Sequence, residues 1–254
     1  MPEGITISAV KDLLSFPFRG EEWATRFVIG AALIFASFFI PILPLILVGG
    51  YALDLIRRGA RGEAPALPAW SDWGRLAIDG LRALVAVFIY TLPSLVCLLG
   101  STAVYLVGII WVPLGDPQDP ATGLIMLAAL AVFMVGLGLG MLLWLLASAV
   151  LPVATSHLAV RSRLGAAFQV GEWWPILWQN KATWLAAWVV LAGLYTLVSL
   201  VVTLAYYSVV LCCLVPLLLA PAAFYLLAVA GALIGQTYRM STASVVEPAQ
   251  ATPA

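Results

Sequence analysis

Two acids and one histidine are the side chains of this sequence whose neighbours could do chemistry. Asp54 stands three and four residues before Arg57 and Arg58, and Asp79 stands four after Arg75 and three before Arg82. An acid held inside a bilayer could relay protons or ions, whereas an acid with cations at helix-neighbour spacing is neutralised locally. Both acids have such cations, and the long apolar runs contain none, so ion pairing at a membrane face is the expected role. His157 is the only histidine. A catalytic imidazole needs a carboxylate or nucleophile beside it, and a metal needs further ligands. Thr155-Ser156-His157 has no acidic neighbour, and Glu172 is fifteen residues on. Asp116 and Asp119 could weakly hold a divalent cation but read as a solvated turn. Cys97, Cys212 and Cys213 lie in apolar runs without metal-ligand spacing. The expectation is therefore no catalytic, cofactor-binding or metal residue, no cofactor, and no enzyme activity.

Two further patterns resemble ligand sites. Trp173-Trp174 could stack a ligand, but a membrane anchor is the favoured role. Gly136-Leu-Gly138-Leu-Gly140 looks like a phosphate loop, yet it lies inside an apolar span with no strand before it. With Gly231-Ala-Leu-Ile-Gly235 it reads instead as small-residue helix packing, within one chain or between chains.

The elements that carry these residues follow from composition. The chain is 63% hydrophobic and 9% charged with mean hydropathy +1.07, too little polar surface to dissolve a 254-residue fold in water. Lipid must solvate it, and zero net charge gives no basic surface for nucleic acid. Residues before Arg26 alternate polar and apolar, so a secretory signal is not expected. The twelve Lys and Arg fall in four islands: 11–26, 57–82, 161–181 and Arg239. Between them lie apolar runs 27–53, 83–115, 120–156 and 182–238, the last long enough for two helices. Turns are expected at about 113–121 and 211–221, on the face opposite the cations.

The first run decides the count. One kinked helix over 27–58 gives five spans; a hairpin broken at Pro41 and Pro44 gives six and puts every cation on one side. Each arm of that hairpin would be short, so thinning of the bilayer or incomplete crossing is expected. An amphipathic segment precedes each hairpin. Ile5, Val10, Leu13, Leu14 and Pro17 form the apolar face of the first; Trp70, Trp73, Leu76, Ala77, Leu81 and Leu84 that of the second; Leu164, Phe168, Gly171, Trp174 and Trp178 that of the third. Trp144 and Trp188 sit deeper in their spans and are expected to pack inside. The fold class expected is all-α: a polytopic integral membrane protein of about six transmembrane helices (alternatively five), in three units of amphipathic interfacial helix plus helical hairpin. Residues 1–242 form a single membrane domain and 243–254 a disordered tail. Both termini are expected on the cytoplasmic side of the cell membrane.

The most distinctive stretch holds Gly50-Tyr51, Arg57-Arg58, Leu67-Pro68-x-Trp70-x-Asp72, Asp79-Gly80 and Ile89-Tyr90-x-x-Pro93, with Ser71 or Asp72 placed to cap the next helix. This pattern resembles the domain of unknown function 4013 family of prokaryotic polytopic membrane proteins, specifically over residues 48–95 and less so elsewhere. Members of that family often carry an acid where this chain has Ala69. The resemblance implies a fold and a compartment and transfers no site residues. A looser similarity, to membrane domains attached to glycerophosphodiester phosphodiesterases, brings no catalytic residues either.

The function expected from these features is a non-enzymatic scaffold or component of a membrane assembly. Its lipid- or partner-binding loop would consist of Arg57, Arg58, Arg61, Trp70, Trp73, Arg75 and Arg82, with the bilayer, anionic lipids and a membrane or cytoplasmic protein as partners. The alternative is a permease or channel for a neutral or lipidic solute, using helix breaks at Pro41, Pro44, Pro216 and Pro221.

Overall fold

The computed structural model describes residues 7–111, 120–207 and 214–250, with side chains over 11–110, 120–207 and 214–244. The fold is all-helical, with no strand among the described residues. The helices are α1 (Ile7–Ser15), α2 (Trp23–Ala36), α3 (Ile42–Arg61), α4 (Trp73–Trp111), α5 (Pro120–Arg161), α6 (Val170–Gln179), α7 (Lys181–Tyr207) and α8 (Val215–Gln250). Short 3-10 turns at Phe16–Phe18 and Leu164–Phe168 lead into the second and sixth. Four helices, α4, α5, α7 and α8, are long and apolar enough to cross a bilayer.

The first apolar run forms two helices joined by a turn, not one kinked helix. The N–H groups of the turn are bonded within it: Ser37 N–H donates to Leu33 and Ile34, Phe38 N–H to Phe35, and Phe39 and Ile40 N–H to Ala36. Pro41 and Pro44 supply no donors and start α3, where missing N–H groups cost nothing. Phe38, Phe39, Ile40, Ile42 and Leu43 around this turn are exposed.

Three expectations differ from the structure. The second amphipathic segment is not a separate helix, because nothing between Trp73 and Trp111 except Pro93 interrupts helical geometry. Pro216 sits in the first turn of α8, whereas Pro221 lies inside that helix, so no break occurs there. The helix also continues from residue 243 to Gln250, where a tail was expected. The turn at 113–119, with Asp116 and Asp119, falls outside the described residues, as do Cys212, Cys213 and the side chains of Ile5, Ser8 and Val10.

The backbone forms two compact units. One comprises residues up to Leu84 together with those from Pro152 onward; the other runs from Val85 to Leu151. In the second unit, Gly136 admits Ser101, Gly140 admits Leu98, and Tyr105 stacks on Phe133 at 4.8 Å. Trp144, expected to pack inside, is exposed; its indole faces out from an apolar helix, which lipid accommodates.

The first unit is built around α3. One of its faces meets α4, where a Cβ on Gly50 would strike the Leu76 backbone and a Cβ on Gly80 the Ile46 carbonyl. Another meets α8, where Gly235 packs on Ile56 and Gly59, and Gly231 on Leu55. The Gly231-x-x-x-Gly235 spacing is therefore used within the chain. Leu13, Phe16, Tyr51, Leu55, Trp70, Leu76, Ala187, Phe224, Ala228 and Leu233 complete the core. Gly62 ends α3 at φ +77, with Glu63 N–H returning to the Arg58 carbonyl, a left-handed cap that favours glycine.

Candidate functional site at the polar end of the helices

Asp54, Arg57 and Arg58 lie on one face of α3, and Asp79 and Arg82 on the first turns of α4. Because Gly50 and Gly80 let these two helices touch, the ion pairs run between helices as well as along them. Arg57 bonds Asp79 at 2.7 Å and Asp54 at 3.3 Å. Asp54 also takes Arg58 at 3.1 Å and Arg75 at 3.2 Å, and Asp79 takes Arg82 at 3.0 Å. Arg57 Nε donates to the Ala159 carbonyl at 2.8 Å, in the last turn of α5. That carbonyl is one of the four a helix end leaves without an internal partner, and a cation there also favours the helix dipole.

The local pairing expected from sequence is present for Asp54 with Arg57 and Arg58, and for Asp79 with Arg82. Arg75 does not pair with Asp79; it crosses to Asp54, because the helix contact brings that acid nearer. Asp54, Arg57 and Asp79 are all buried.

Beside this network an aromatic clamp fixes the connection between α3 and α4. Tyr51 stacks on Trp70 at 4.1 Å and donates from Oη to the Pro68 carbonyl at 3.0 Å. Trp70 Nε1 donates to the Arg26 carbonyl at 2.9 Å, and Arg26 Nη1 returns a bond to the Leu67 carbonyl at 2.6 Å. Asp72 caps α4 through the Arg75 N–H at 3.0 Å, which settles the choice between Ser71 and Asp72. Replacing Tyr51 with Phe should keep the stack and lose one hydrogen bond, costing about 1 kcal/mol in thermal unfolding of the purified protein.

Of the seven loop residues read from sequence, Arg57 and Trp70 are therefore occupied inside the fold. Arg61, Arg75 and Trp73 are exposed, and Arg58 and Arg82 are half-buried. Trp173 is buried and donates from Nε1 to the Ala167 carbonyl, so it does not form a stacking pair for a ligand. Trp174 stacks on Trp178 at the surface, with Lys181 over the latter ring at 5.3 Å.

Sequence reasoning missed one constellation. Glu172 reaches His157 Nε2 at 3.1 Å, Tyr238 Oη lies 2.9 Å from Nδ1, and Arg161 holds Glu172 at 3.0 Å. With Glu172 ionised, Nε2–H donates to it and the Tyr238 hydroxyl donates to Nδ1. The histidine thus has the carboxylate that the sequence did not show beside it. The pairs are separated by 15 and 81 residues, and only the packing of α6 and α8 on α5 joins them. The group ties three helix ends together. It also lines a cavity of about 650 Å3 with Arg57, Ala60, Arg61, Val160, Ile176 and Thr242. No group of three potential ligands that could hold a metal occurs among the described residues.

Long helices with outward apolar faces and inward charge define a helical membrane protein. The chain belongs to the family described as "Protein of unknown function (DUF4013)", whose model matches residues 33–207. No curated protein matches the chain, and no solved structure does.

Proposed function

We propose that this protein is a non-enzymatic scaffold or component of a membrane assembly in the cell membrane, acting through its cationic cytoplasmic end. The observation that carries this reading is the division of labour among the arginines. Arg57 is buried and ties the helices together, while Arg61 and Arg75 are exposed and Arg58 is half-exposed, Arg58 and Arg75 each also bonding Asp54. Each cation near an anionic membrane surface contributes about 1 kcal/mol. Replacing both Arg58 and Arg75 with Gln should therefore lower the enrichment of anionic lipid around the purified protein by roughly tenfold or more, read by native mass spectrometry. Unchanged enrichment in a folded double variant would remove this reading.

The threading that fits it has both termini and all twelve cations on the cytoplasmic side. Helix α2 has 14 residues, about 21 Å of rise against a hydrocarbon core of about 30 Å. The α2–α3 hairpin then enters the bilayer without crossing it, beside four full spans. A turn in lipid needs its backbone groups bonded internally, and the N–H groups of residues 37–40 are so bonded. Ser37→Cys should resist membrane-impermeant maleimide from both sides, while Ser71→Cys and Ala249→Cys label from the same side. Labelling of residues 71 and 249 from opposite sides would refute it. The permease alternative keeps only the break at Pro41 and Pro44, since Pro221 lies in continuous helix.

A further inference from the structure

The cavity at the polar end is walled by four helix ends. Arg57, Ala60 and Arg61 come from α3; His157, Val160 and Arg161 from α5; Glu172 and Ile176 from α6; Tyr238 and Thr242 from α8. Its charges do not balance. Arg57 is neutralised from behind by Asp54 and Asp79. Glu172, the one carboxylate in the wall, is shared between His157 and Arg161. Arg61 has only Glu63 at 3.8 Å, beyond hydrogen-bond reach, and Arg58 shares that acid at 3.7 Å. Arg61 thus lines the cavity with only that loose pairing, and Arg161, whose Nη2 is engaged by Glu172, lines it as well.

We propose that this cavity binds a phosphate monoester group. Guanidinium forks match phosphate oxygens with paired, charge-assisted hydrogen bonds. At about 650 Å3 the space exceeds one phosphate, and Ala60, Val160 and Ile176 give it an apolar wall for the ester's carbon part. The phosphate could arrive on a lipid headgroup of the adjoining leaflet or on a soluble ester. The site deepens the reading of the cationic end as an anion-binding face, and rests on it only for the lipid source.

The test uses the full chain, purified and reconstituted. In one arm glycerol 3-phosphate and inorganic phosphate are titrated against thermal unfolding. In the other, nanodiscs of phosphatidylcholine are compared with nanodiscs containing phosphatidic acid. A rise in Tm with the soluble anions assigns a soluble source, and a rise with phosphatidic acid alone assigns the headgroup. Arg61→Gln, which removes a cation from the cavity wall, should weaken binding by about tenfold or more. Its side chain is exposed, so this variant should fold. Val160→Trp, which fills the cavity and keeps every charge, should block binding, while Lys11→Gln outside it should not. No Tm rise in either arm, or an equal loss in Lys11→Gln, would overturn the site. If Arg58→Gln with Arg75→Gln leaves lipid enrichment unchanged but the soluble anion still binds, the face reading fails and the cavity stands.

Discussion

Replacing Arg57 with Met should cost the folded protein about 3–5 kcal/mol, the usual consequence of removing one partner from a buried ion pair. The side chain is only 7% exposed and holds two acids that are equally enclosed, at 2.7 and 3.3 Å. Methionine fills much of the volume but leaves Asp79 with Arg82 alone and strips the Ala159 carbonyl of its donor. The α3, α4 and α5 ends then lose their common tie. Thermal unfolding in detergent reads the effect directly. Arg61→Gln serves as the comparison, because that side chain is 65% exposed and its pairing is loose, so its loss should stay within about 0.5 kcal/mol. Similar losses in the two variants would mean that the network contributes nothing beyond surface pairing.

Gly80→Val should be comparably severe. Any Cβ at residue 80 meets the Ile46 carbonyl and approaches the Gly50 amide, and both are helix backbone that no rotamer change can clear. Overpacking of this kind costs about 1–3 kcal/mol, and two rigid contacts place this site at about 3 kcal/mol or above. The helices must separate, and Asp79 is then carried away from Arg57. Gly138→Ala is the matched control: a Cβ there meets nothing within 4 Å. Removing a mid-helix glycine should make that variant more stable, by about 0.5–1 kcal/mol. If both substitutions are neutral, the close approach of α3 and α4 is not what the glycines provide.

These two sites explain the family-like motif. Gly50 and Gly80 are the contact, Tyr51 and Trp70 the clamp, Asp72 the helix cap, and Arg57 and Asp79 the ionic tie. Every one of them serves one corner of the fold. Arg61, Arg75 and Trp73 of the same loop are exposed, although Arg75 also holds Asp54. The sequence showed the motif as a cluster along the chain but did not show which members face in.

Amphipathic patterns did not show which apolar residues pack inside the protein and which face out. Leu13 and Pro17 of the first segment are buried inside the fold, although an interfacial helix would turn them to lipid. In the second, Leu81 and Leu84 are exposed while Asp79 faces inward; in the third, Trp174 and Trp178 are exposed. With lipid as the solvent, the apolar face need not turn inward, and charge gains most from a protein partner.

By itself the sequence determined the all-helical membrane class, the family, the apolar runs and the acids that carry counter-charges. Composition and cation spacing carry that information locally, because lipid rejects charge and requires a helix of a set length. Only the tertiary structure decided that Arg57 crosses to Asp79, that Arg75 crosses to Asp54, and that His157 meets both Glu172 and Tyr238. Those contacts join residues far apart in the chain, and they depend on how closely two helices approach, which hydropathy does not encode.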